Sequence, residues 1–306
     1  MIIGILIITG IIGLVYFNRQ KNTAPPSNQA SRLLDNIIPE GEITHGHGLA
    51  VDQKDPNKLY IATHHGLLVL INDKDLYRVG QSRDDYMGFS PHPADLNKFF
   101  SSGHPEKGGN IGVQKSEDGG VTWKTISNGV NGPVDFHALA VSPINPNLLY
   151  GWYDNNLQRS TNGGINWKVV NSNLLTIAKG VGPYHLITDP KDENVVYAAS
   201  GLGLFISRDK GGNWIDVSDQ LKETAVQAFA ISPQDTQKML SFTPTLNFAK
   251  SSDGGKTWQK VNETFGGDTI YFIAFDKNNP QTAYVLTSKN SIYKSTNGAD
   301  IWSKIR

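Results

Sequence analysis

Eight histidines are scattered through this 306-residue chain, and seven of them sit where a short apolar run begins or ends. His47, His137 and His185 stand at the openings of such runs, whereas His64, His65 and His104 follow their ends. Asp85, Tyr184, Gln227 and Tyr271 take the opening position of other runs, with Glu106, Asp135 and Asp154 close by. Imidazole changes charge near neutrality and ligates metals through a neutral ring nitrogen. Three chemistries are therefore open. A ligand gripped by His47, His64, His65, Asp85, His104, His137, Tyr184, His185 and Tyr271 would bind with a pH dependence between about pH 5 and 8. A divalent metal would take His47, His137 and Asp85. Two carboxylates drawn from Asp85, Asp135, Glu106 and Asp154 would serve as acid and base in glycoside cleavage. No short metal motif joins these residues, so any meeting among them depends on the fold.

The elements that position them repeat. SEDGGVTW at 116–123 returns as STNGGINW at 160–167, SRDKGGNW at 207–214, SSDGGKTW at 251–258 and, decayed, STNGADIW at 295–302. A further decayed copy, LINDKDLY, begins at Leu70, so successive copies start 44–47 residues apart. Between boxes run short β-branched and aromatic segments bounded by Gly, Asn, Asp and Pro, which are strand signals. A period near 45 with four short strands per unit predicts a β-propeller with one blade per repeat. Six blades follow, with first strands near 47–51, 86–90, 137–141, 184–188, 227–231 and 271–275. The last unit ends in WSKI at 302–305 and supplies its own fourth strand, so the ring should close by packing of blade six on blade one, unless 42–45 adds an extra strand. Apart from the first seventeen residues and 31–36, no window supports a helix.

The boxed turn matches the S-x-D-x-G-x-T-W pattern, and residues 46–306 resemble the Asp-box (BNR) propellers. That group includes sialidases, sortilin-type receptor domains, photosystem II assembly factors and bacterial glycosyl-hydrolase-like proteins. Asp118, Asp209 and Asp253 keep the acid, whereas Asn162 and Asn297 replace it. The box reads as a structural staple. A short Asp or Asn side chain accepts backbone N–H groups a few residues on. The Trp that follows, at 123, 167, 214, 258 and 302, can bury its ring between strands.

Propeller topology sorts the polar residues onto two faces. The starts of first strands and the loops between second and third strands share one face; the boxed turns share the other. The histidines and carboxylates above fall on the first face, around the mouth of the central channel, and His92 falls on the second. Sialidase activity is excluded, because the family clamps a carboxylate with three guanidinium groups. Of the seven arginines here only Arg83 falls on the pocket face, and the R-I-P type motif is absent.

Composition narrows the rest. Twenty-eight basic and 28 acidic residues cancel, and no basic stripe points to nucleic acid. With no cysteine there is no disulfide, thiolate site or cysteine nucleophile. MIIGILIITGIIGLVYF at 1–17 is apolar without a break, ends at Asn18 and Arg19, and lacks a small-residue cleavage site. It reads as an uncleaved membrane helix, followed by a linker over 18–45 and the propeller over 46–306. Arg19, Lys21 and Arg32 after the apolar run favour a cytoplasmic propeller. The resemblance favours display outside the cell, and the extracytoplasmic reading is preferred. The expected function is a membrane-tethered module that binds a glycan or protein at the cell envelope. A glycoside-hydrolase-like enzyme and a scaffold or assembly factor for a membrane complex are the alternatives. No cofactor is required beyond a divalent metal as an open option at the channel mouth.

Overall fold

Apolar runs such as ALAV at 138–141 have hydrophobic residues at every position, which suits a strand buried on both faces. The computed structural model, which describes residues 35–306, shows how both faces are used. Leu139 and Val141 pack toward blade two, while Ala138 and Ala140 pack toward blade four. The two-residue alternation of the strand thus feeds two separate cores.

Six antiparallel sheets stand around a central channel, each with its first strand innermost. The innermost strands are Gly46–Val51, Asp85–Pro91, Ala138–Val141, Pro183–Thr188, Ala228–Ile231 and Ile270–Phe275, each within a residue of its expected start. Each of the six interfaces between neighbouring blades holds one hydrophobic cluster. Blade six closes on blade one as expected, by packing of Tyr284, Leu286 and Ile292 against Val51, Ile61 and Leu70. Polar ties seal the same seam, with Lys294 Nζ 2.6 Å from Asp73 Oδ2 and the Gly46 N–H donating to Asn290 Oδ1 at 3.3 Å. The extra strand forms at Ile37–Pro39 rather than at 42–45, on the outer edge of blade one beside Asp75–Val79. Ile43 still enters the closing core.

The boxed turns are built alike in all five copies. The Ser hydroxyl accepts the backbone N–H four residues on, at 2.8 Å for Gly120 and 3.1 Å for Ala299. Its own proton goes to the Asp or Asn Oδ1, which also accepts the N–H of the residue four further on. The indole N–H then donates to the carbonyl three residues back. Because Oδ1 makes the backbone contact, Asn162 and Asn297 substitute for Asp without loss of it. Ala299 adopts the positive φ of 67° that Gly supplies elsewhere. The decayed copy in blade one has no box; Asn72 and Asp73, at φ 54° and 59°, make a short turn instead. Trp167, Trp214, Trp258 and Trp302 are buried. Trp123 is only partly so, resting on Tyr86 at a ring separation of 4.7 Å.

Three single-turn helices that the sequence does not announce lie between blades, at Leu174–Ile177, Asp219–Leu221 and Phe265–Gly267. The membrane helix expected over 1–17, and the linker up to residue 34, lie outside the described residues. Among the described residues no helix is long and apolar enough to cross a membrane.

Candidate functional site

The channel mouth gathers residues that the repeat register places at equivalent strand starts. A cavity of about 340 Å³ is lined by His45, His47, His137, Tyr184, His185, Gln227 and Tyr271. It continues down the channel past Leu49, Phe89, Leu139 and Phe229. Among the described residues no arginine lines either part.

Asp85 departs from the expected symmetry. It is the first residue of its strand, yet its side chain is buried and turned toward blade one. Its Oδ2 lies 2.6 Å from His64 Nδ1, and its Oδ1 lies 3.8 Å from His47 Nε2. Burial, together with the positive potential of His64, His45 and His137, lowers the His47 pKa to about 3, so this ring is neutral at physiological pH. His45 joins the group, its ring 4.8 Å from that of His47 and 4.9 Å from that of His64.

A second group sits one blade further on. Asp135 Oδ2 lies 2.7 Å from His137 Nε2 and 3.1 Å from His104 Nε2. His104 Nδ1 is 2.8 Å from the Gly109 carbonyl, which can only accept, so that nitrogen carries the proton. The hydrogen bond to Asp135 raises the His137 pKa. The metal set His47, His137 and Asp85 is therefore not what the fold assembles. His137 pairs with Asp135, and the partners of Asp85 are His64 and His47, because each carboxylate bridges its own blade interface.

The other sequence candidates scatter. His65 is exposed, its ring 6.4 Å from that of His64. Glu106 is exposed, and its contact is a backbone N–H donated to Asp84. Asp154 lies in a hairpin turn with Asn155, at φ 47° and 59°, a conformation that tight two-residue turns demand. The acid–base candidates thus reduce to Asp85 and Asp135. His185 is on the wall of the channel rather than free in it, with Nε2 3.0 Å from the Gln227 carbonyl and its ring edge-on to Phe272. Burial lowers its pKa. Tyr184 is 47% exposed, and Tyr271 stands 6.5 Å from the His45 ring, closing the gap between blades six and one. Two relationships escaped the sequence reading. His45 pairs with His47 as H-G-H, and Asp135 pairs with His137 as D-F-H; side chains two apart along an extended segment share a face, and that spacing was the available signal.

No family model matches the chain. A stretch of 175 residues, 56% of the chain, is 28% identical to the oligoxyloglucan-reducing end-specific xyloglucanase of Emericella nidulans, of which it covers 18%. The GH74 enzyme of Niastella koreensis superposes with a TM-score of 0.64 at 17% identity, over 88% of this chain and 46% of that one. YCF48 from Cyanidioschyzon merolae superposes with a TM-score of 0.53 at 16% identity, over 88% of this chain and 87% of that one. The chain thus spans under a fifth of the curated relative's length and under half of the Niastella enzyme's. At these structural identities the likeness is one of propeller fold.

Proposed function

We propose that this protein is a membrane-tethered binding module of the Asp-box type that holds a glycan chain in the mouth of its channel, outside the cytoplasm. The observation that carries the reading is the division of the mouth. One side, from blades one to three, presents imidazoles held by Asp85 and Asp135. The other presents Tyr184 and Tyr271, half-exposed rings suited to stacking on sugar faces. The segment similar to a xyloglucanase supports a glycan as the ligand class. The unbroken apolar run at 1–17 supports the tether, and protease accessibility in intact cells tests its orientation.

The test is calorimetric titration of the full-length protein with xyloglucan oligosaccharides and a panel of other glycans. Binding that weakens on Tyr184→Ala and Tyr271→Ala, by about 0.5–1.5 kcal/mol each, supports the reading. Failure of every glycan to bind overturns it. A second reading, glycoside cleavage, is favoured by Asp85 and Asp135, carboxylates at adjacent interfaces whose Oδ1 atoms have no hydrogen-bond partner among the described residues. Release of reducing ends that is lost in Asp85→Asn and Asp135→Asn would replace binding by turnover. Capture of a membrane-complex subunit with no glycan affinity would favour the scaffold.

A further inference from the structure

Three imidazoles crowd the blade-one side of the mouth. His45 and His47 flank Gly46 on the way into the innermost strand, and His64 follows the end of the neighbouring strand. One nitrogen from each of the three lies within 4.8 Å of the others. The His47 and His64 rings are only 4.2 Å apart, edge to face. An imidazole ligates a metal through the lone pair of one ring nitrogen, and three such rings meet here.

Asp85 supports the set from the adjoining blade. Its Oδ2 accepts from His64 Nδ1 at 2.6 Å, which directs the lone pair of that ring onto Nε2. A carboxylate behind one imidazole nitrogen is the usual device for orienting a histidine whose other nitrogen binds a metal. Asp85 Oδ1 and His47 Nε2, both buried, have no hydrogen-bond partner among the described residues. They face each other at 3.8 Å, too far for a hydrogen bond. Leaving two such atoms unpaired is costly. A metal with bonds of about 2.0–2.2 Å at tetrahedral angles holds neighbouring ligand atoms roughly 3.4 Å apart. The three imidazole nitrogens, within 4.8 Å of one another, reach that spacing by drawing together by up to about 1.4 Å.

We propose that His45, His47 and His64, the last oriented by Asp85, form a binding site for a divalent late transition metal, with Zn²⁺ the best match. Three nitrogen donors with the fourth position left to water suit zinc and its neighbours, whereas Ca²⁺ and Mg²⁺ require mostly oxygen ligands. The neighbouring group of His104, Asp135 and His137 also brings ligand atoms within 4.8 Å of one another, but its carboxylate oxygen already contacts both imidazoles, at 3.1 and 2.7 Å. The metal site shares the mouth with the glycan proposed above but does not depend on it, since metal uptake is measured with no glycan present.

Full-length protein without a histidine tag, stripped with a chelator, is titrated with Zn²⁺ at neutral pH. One equivalent should bind with sub-micromolar affinity, while Ca²⁺ and Mg²⁺ give no signal. Co²⁺ in its place should show the strong ligand-field absorption of a four-coordinate site. His45→Ala and His64→Ala should each weaken Zn²⁺ binding about tenfold or more, and His92→Ala, on the opposite face, should not. Thermal melting accompanies each variant; should His64→Ala melt early, the exposed His45 carries the decision. Folded wild-type protein that takes up no zinc overturns the proposal. So does uptake undiminished in both variants, or lost in His104→Ala but not in His45→Ala.

Discussion

His64 Nδ1 lies 2.6 Å from Asp85 Oδ2, across the interface between blades one and two. The same arrangement recurs one interface further on, where His104 Nε2 meets Asp135 Oδ2 at 3.1 Å. In each case a histidine at the end of a second strand reaches a carboxylate at the start of the next blade. These contacts tie together the strand ends that shape the mouth. Asp85→Ala should therefore destabilise the propeller by about 1–3 kcal/mol, the usual cost of stranding a buried polar partner. Asp85→Asn, which retains an acceptor for His64, should cost less, and urea midpoints of the two variants check the order.

The boxed turns make a sharper comparison. Asp118 Oδ1 accepts the Thr122 N–H at 2.9 Å, a bond that Asn162 reproduces with Asn166 at 2.9 Å. Asp118→Asn, which keeps the Oδ1 contact but not the charge that the Thr122 hydroxyl donates to, should cost less than Asp118→Ala, for which about 1–3 kcal/mol is expected. Ser116→Ala should match the alanine variant, since its hydroxyl accepts the buried Gly120 N–H. Equal losses for Asn and Ala at 118 would show that the charge, not the Oδ1 contact, holds the turn.

Burial separates the tryptophans. Trp214 is 1% exposed, whereas Trp123 is partly open. Trp214→Ala should cost about 3–5 kcal/mol and Trp123→Ala clearly less. Denaturant midpoints on the two variants decide it, and neither should alter ligand affinity while the protein remains folded.

Acid should act first on particular boxes. Bonds from the Ser207 hydroxyl and the Asn213 N–H hold Asp209 down to about 2. A depressed carboxylate adds stability above its ordinary pKa of 3.8, lost as the pH falls toward 2. Asp209→Asn should flatten the stability profile over that interval, as measured by thermal melting in a pH series.

His137 should respond in the opposite sense. Its pKa is raised by Asp135, so the pair adds stability below 6.5 that is lost as the pH climbs through the raised value. With the His137 side chain 60% exposed, the gain is small. Proton NMR should place its midpoint above 6.5, and Asp135→Asn should bring it down. An unchanged midpoint in that variant would mean that the contact does not persist in solution.

The number of blades, the position of each innermost strand and the turn staple were all legible in the amino-acid sequence. Each rests on local pattern: a fixed period, a two-residue alternation and a Ser-to-Trp span that closes on itself through bonds four residues long. The same period placed His47, His137, Tyr184 and Tyr271 on one face, because equivalent positions in a ring point to equivalent places. The choice of partner was not legible. Asp85 and His104 face each other in register on neighbouring strands, yet Asp85 reaches back to His64 while His104 reaches forward to Asp135. That split follows from how rigid blades pack side by side, which sets distances between residues 21 or 31 positions apart without leaving any periodic trace. Glu106 and Asp154 shared the face and the chemistry but not the direction, since a turn conformation and an exposed loop, not the repeat, aim their side chains. Residue type and face were properties of the sequence; which imidazole meets which carboxylate was decided by the packing between blades.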